Sequence, residues 1–318
     1  MMKKIAFTLL LLSTLAMQAQ SIKDGSQWYS GTLIFGAHLY QGKNIVINAT
    51  DEGEEMEFML VPVKGKPETY SIAHGPNQAM MIYEECKTAK HVQQEGLDLI
   101  CLYNQNGELY AIFSKLTESD ECNHQQLNIN HWMTALRGRY TMQDGTQVTI
   151  DWTKANVGGT YIPIEPVTFN SYITGVMNFD GEGTALNGTM EVIQTIDGLE
   201  LYPVAIDEYG FSHRVSEIAI KLTESDPNNG RFDFANYTQL YGNELNTYTP
   251  QMLRVMRNSI FAHHGYVFQS DDLKDYFSRE PWYKPANSNE SMKLSLLEQL
   301  NVDLIKMREA ELKKENIE

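Results

Sequence analysis

The hexapeptide Lys115-Leu-Thr-Glu-Ser-Asp120 returns unchanged as Lys221-Leu-Thr-Glu-Ser-Asp226, 106 positions further on. Weaker landmarks keep the same order at shifts of 102 to 107: Leu97-Asp-Leu99 with Leu199-Glu-Leu201, Gly42-Lys-Asn-Ile-Val-Ile47 with Gly145-Thr-Gln-Val-Thr-Ile150, and Gly31 with Gly138. Matches that stay in order imply one unit built twice, so any fold for this segment must close within half of it. The copies are read as residues 21 to 133 and 134 to 245.

Each copy reads as β-structure. Asn44 to Ala49, Glu57 to Val63, Leu97 to Tyr103 and Leu109 to Leu116 are short stretches rich in β-branched, aliphatic and aromatic residues. Turn dipeptides accompany them at Asn106-Gly107, Asp144-Gly145, Asp180-Gly181, Asn187-Gly188 and Asp197-Gly198. This spacing predicts an antiparallel sandwich or small barrel. Trp28-Tyr-Ser-Gly31 resembles the opening strand of lipocalin-like barrels, although on one short pattern.

From Thr249 the period changes. Thr249 and Pro250 start a helix, since the hydroxyl can accept an orphan amide and proline lacks the amide that would go unpaired. Gly265 ends it, and Met252, Val255, Met256, Ser259, Ile260 and His263 form its predicted inner face. Ser270 opens a second helix with Asp271 and Asp272 in its first turn, where the dipole favours negative charge. A third follows Ser291, with Leu297, Leu300, Leu304 and Met307 as a stripe that closes over the first helix. The expected architecture is therefore α+β and multidomain: two antiparallel sandwich- or barrel-like modules, then an all-helical domain over 246 to 318.

The helical segment resembles the YARHG domain, a small bacterial extracellular domain. Leu253, Arg254, Arg257-Asn258, Ile260-Phe261-Ala262, His264-Gly265-Tyr266, Phe268, Leu273, Tyr276-Phe277 and Trp282-Tyr283 carry the pattern. Phe261 stands where the name has Tyr, and His263 where it has Arg. The resemblance implies an exported bacterial protein and brings no established activity with it.

Residues 1 to 19 read as an export signal, with Lys3 and Lys4 before a short apolar core and Ala19 before a cleavage at Gln20. Without the two signal lysines, 23 basic residues face 41 acidic ones, a net charge of -18. Asn246 to Glu318 is nearly balanced at 10 against 11, so the excess lies before it. Such a surface disfavours nucleic acid and anionic membranes, and no later stretch approaches a transmembrane helix. A periplasmic or extracellular protein is expected, with a wall component or envelope protein as partner.

Seven side chains are candidates for function. His264, at a helix end, could serve as acid or base; otherwise it caps carbonyls and packs beneath Trp282. Arg254, Arg257 and Asn258 could grip an anion, or Arg257 could pair with Asp271, Asp272 or Asp275. Tyr276, Trp282 and Tyr283 could stack on a sugar or clamp a peptide, or form the domain core. His263 and His264 are adjacent, a poor spacing for one metal, so no metal and no cofactor is expected. Among the three cysteines, Cys86 and Cys122 suit a bridge at strand ends, leaving Cys101 inside an apolar strand. The leading expectation is a non-catalytic binding protein of the envelope. An envelope-directed hydrolase using His264 is the alternative.

Overall fold

A computed structural model describes residues 22–31, 33–51, 53–77, 79–81, 83–116, 132–133, 135–171, 174–226, 231–290 and 292–315. Residues to Leu116 form one compact unit and those from Thr117 another. The export signal, Cys122 and the end of the first hexapeptide copy lie outside the described residues.

The first unit is a closed antiparallel barrel of eight strands taken in chain order. They are β1 (Ser26–Ser30), β2 (Leu33–Tyr40), β3 (Asn44–Asp51), β4 (Glu54–Pro62), β5 (Thr69–Ala73), β6 (Cys86–Gln94), β7 (Leu97–Asn104) and β8 (Leu109–Lys115). β1 closes the ring on β8, with Trp28 opposite Lys115 and Tyr29 opposite Ser114. Alternate side chains turn inward, so Trp28, Phe35, Ile45, Ile47, Phe58, Ile100 and Phe113 fill the interior. Phe113 meets Phe35 and Phe58 at ring distances of 5.1 and 5.7 Å. Cys86 does start a strand, β6, and is fully buried in this core. Among the described residues Cys86 and Cys101 are buried and unbridged, and burial pushes each thiol up to about 12. The proposed Cys86–Cys122 bridge depends on a residue outside the described set.

The second unit repeats the architecture: β9 (Gly138–Met142), β10 (Gln147–Ile150), β11 (Lys154–Val157), β12 (Thr160–Ser171), β13 (Thr174–Phe179), β14 (Gly188–Thr195) and β15 (Gly198–Ile206) run as a meander. β16 (Ser212–Arg214) pairs with the far end of β15, and β17 (Ile220–Asp226) joins β15 to β9 and closes an eight-strand ring. Tyr140, Val148, Ile162, Met177, Phe179, Leu199 and Leu222 pack inside. Three of the five turn dipeptides, at 106–107, 144–145 and 180–181, fall in connections between strands, while Asn187-Gly188 and Asp197-Gly198 straddle the starts of β14 and β15. Leu97 and Leu199 both lie near the start of the seventh strand of their ring, and Lys115 and Lys221 lie on the closing strand. Gly42 precedes a third strand and Gly145 a second, so that pair of landmarks is out of step.

Beyond β17 two 3-10 turns, Asp233–Asn236 and Gly242–Thr247, lead into α1 (Pro250–His263), α2 (Asp271–Ser278) and α3 (Leu296–Glu315). Thr249 caps α1 by accepting from the Met252 amide at 3.2 Å. Its buried face holds Met252, Leu253, Val255, Met256, Ser259 and Ile260, whereas His263 lies outside it. Leu300, Val302, Leu304 and Ile305 bury α3. Its charged end stays helical to Glu315.

Candidate functional site

Gly265 sets the corner after α1. Its φ of +74° belongs to glycine, and a side chain there would meet the Lys284 carbonyl at 2.9 Å. The Ala286 amide donates to the Gly265 carbonyl at 2.7 Å, and Asn289 brackets Val267, so the Trp282-Tyr283 segment lies back across the helix ends. Phe268 stacks on Phe277 at 4.7 Å, and the Tyr283 hydroxyl donates to the Tyr266 carbonyl at 2.6 Å.

His264 does not pack beneath Trp282. His263 does, lying flat on the indole at 4.1 Å and 6° with Nε2 2.5 Å from Asp233 Oδ1. His264 Nε2 instead faces Glu298 Oε1 at 2.8 Å, with its side chain 31% exposed. Glu298 also belongs to a capping box at the start of α3. Its Oε2 accepts from the Ser295 amide at 2.8 Å and hydroxyl at 2.9 Å, while its own amide donates to Ser295 Oγ at 3.2 Å. Burial acts to raise the Glu298 carboxyl, but the Ser295 amide, His264 and the Ser295 hydroxyl outweigh it and hold it below the usual range.

Arg254 pairs with Asp272 on α2, the helix-to-helix bond expected of Arg257. Arg257 instead reaches α3, with Nε and Nη2 at 2.8 and 3.3 Å from the two Glu309 oxygens. Asn258 Nδ2 donates to the Arg254 carbonyl at 2.7 Å. Both guanidinium groups are thus engaged within the domain and aim at different helices.

Of the seven candidates, Tyr276 lines a cavity. The end of α2 and one rim of the second barrel enclose a cleft of about 610 Å³. Ile196 and Asp197 come from the β14–β15 turn, Thr223, Glu224 and Ser225 from β17, and Tyr276, Arg279 and Glu280 from α2 and its end. Gly198 holds the turn against β17: an added Cβ would lie 1.9 Å from the Leu222 carbonyl oxygen. The Glu224 amide donates to the Asp197 carbonyl at 2.8 Å across the same contact. Behind the cleft, Arg231 is buried, with Nη2 donating to Glu224 at 2.6 Å and Nη1 to the Thr195 carbonyl. Glu280 accepts from Trp282 Nε1 at 3.0 Å, which puts Trp282 one contact behind the cleft. Burial pushes the Tyr276 phenol up, so it remains a donor, and its hydroxyl has no hydrogen-bond partner among the described residues.

Asp197, Glu224, Arg231, Arg279 and Glu280 escaped the sequence analysis because they lie far apart along the chain. A signal existed for two of them: Asp197 occupies a turn dipeptide, and Glu224 belongs to the repeated hexapeptide. Among the described residues no three His, Cys, Asp or Glu side chains are grouped to hold a metal. No described helix is long and apolar enough to cross a membrane.

No curated protein and no solved structure gives a significant match to the chain. Residues 232–310 match the YARHG domain, found typically in exported proteins, so the chain carries that domain over its C-terminal quarter, beginning at the first 3-10 turn.

Proposed function

We propose that this chain is an exported protein of the bacterial envelope, acting in the periplasm or outside the cell, which binds a wall component or an envelope protein without transforming it. The cleft between the second barrel and the YARHG domain carries the reading: its lining offers carboxylates, a guanidinium, a phenol and the Thr223 and Ser225 side chains, groups that hold a polar ligand by charge and hydrogen bonds. The acidic excess before Asn246 speaks against nucleic acid as the partner.

The order of groups at His264 also favours binding. In a hydrolytic triad the histidine lies between nucleophile and acid, so that it can take the nucleophile's proton. Here Glu298 lies between Ser295 and His264, and the serine hydroxyl is committed to the helix cap. One observation favours the hydrolase reading: the His264 ring is 31% exposed and oriented by a carboxylate, as a general base would be.

Calorimetric titration of the full mature chain with solubilised wall fragments, followed by chromatography of the fragments, separates the two. Saturable binding that Tyr276→Ala weakens, with fragments recovered intact, is expected. Cleavage lost in His264→Ala would establish the hydrolase instead, and neither binding nor cleavage would overturn both.

A further inference from the structure

The cleft has a chemical preference, which rests on reading it as the working site. Its lining sets three carboxylates, Asp197, Glu224 and Glu280, against the single guanidinium of Arg279. Arg231 offsets Glu224 from behind, and the balance stays negative. Arg231 itself is buried outside the cleft lining, with its two terminal nitrogens donating to Thr195 and Glu224. Asp197 is exposed on its turn with no side-chain partner among the described residues.

A second observation points the same way. The cleft already holds one cation over its aromatic wall: the exposed Arg279 guanidinium lies 5.7 Å from the Tyr276 ring centre, tethered by Nε to the Asp275 carbonyl at 3.2 Å. An ammonium on a flexible arm could take that place, with its methylenes on the Tyr276 ring and its charge among the carboxylates. The Tyr276 hydroxyl, a donor without a partner, suits an acceptor oxygen next to the arm.

We infer that the cleft binds a primary ammonium group on a short aliphatic arm beside a hydrogen-bond acceptor. A diamino-acid side chain within a peptide and a free diamine both present the ammonium, and only the first carries the acceptor.

Calorimetry on the full mature chain with three probes tests this: Nα-acetyl-lysine amide, the same compound acetylated on its side-chain amine, and 1,5-diaminopentane. The lysine amide should bind about tenfold or more tightly than its acetylated form, the ratio set by one charge-assisted hydrogen bond. Asp197→Asn should weaken it by a similar factor, and Arg279→Ala should leave it unchanged or tighten it. A preference for the lysine amide over the diamine assigns the source to a peptide; equal affinity assigns it to free amines. Equal binding of both lysine compounds, absence of binding by any amine, or weakening by Arg279→Ala but not Asp197→Asn overturns the inference. If wall fragments still bind and Tyr276→Ala still weakens them, the binding function survives while its ammonium chemistry falls.

Discussion

His263 occupies the position where the YARHG name has arginine. It does two things that a guanidinium also does: it lies flat on an indole and meets a carboxylate, Asp233. His263→Arg should therefore keep the stability of the second unit within about 0.5 kcal/mol, whereas His263→Ala should lose roughly 1–2 kcal/mol, mostly stacking, because the ion pair is partly exposed. Urea denaturation of both variants checks this. Gly265→Ala is expected to cost about 2 kcal/mol, from the left-handed backbone together with the Lys284 carbonyl in its path. The sequence marked His263 as part of an apolar helix face. Its real role was hidden because Asp233 and Trp282 approach it from segments 30 positions before and 19 after.

At the level of elements, a buried side chain of α3 holds the segment before α1. Asn301 is fully buried, its Oδ1 accepting from the Leu240 amide at 3.0 Å and its Nδ2 donating to the Ala235 and Thr238 carbonyls at 2.8 Å each. Asn301→Ala would remove the partner of two buried backbone groups, the Leu240 amide and the Ala235 carbonyl, and should cost about 2 kcal/mol or more, read as a lowered urea midpoint. The sequence showed α1 with its cap and its stop because Thr249, Pro250 and Gly265 act locally, on the backbone beside them. Strands and turns were readable for the same reason. Asn301 was not, since an amide inside an apolar stripe gains meaning only from the loop it holds. Nor was the segment from Phe232 to Thr247, whose short 3-10 turns leave no apolar period. The sequence left open sandwich or barrel, because closure depends on β1 meeting β8 and β17 meeting β9, contacts between ends of a unit.

For the whole molecule, each ring closes upon itself around a core of its own. Residues 22–116 expressed alone should give a cooperative β-sheet unfolding transition; a chain without one would contradict an independent first unit. Acid should weaken both units. Burial works to raise Asp98, but hydrogen bonds from His91, Gln93 and Lys115 hold it low, and Glu298 is held low in the second unit. A carboxyl lowered by folding contributes stability that is present above its unfolded value, near pH 4, and is lost as pH falls through the folded one. Asp98→Asn should accordingly flatten the acid limb for the first unit while leaving that of the second, measured by urea midpoints between pH 3 and 6. The cleft draws on barrel and helical domain together, and Trp282 reports on it through its indole bond to Glu280. The chain has four tryptophans, so their indole amide resonances in the full mature protein can be assigned through a Trp282→Phe variant and followed while solubilised wall fragments are added. A saturable shift at Trp282, with Trp28 and Trp132 unmoved in their barrel cores, is the expected result; fragments that bind without moving Trp282 would place the working site elsewhere.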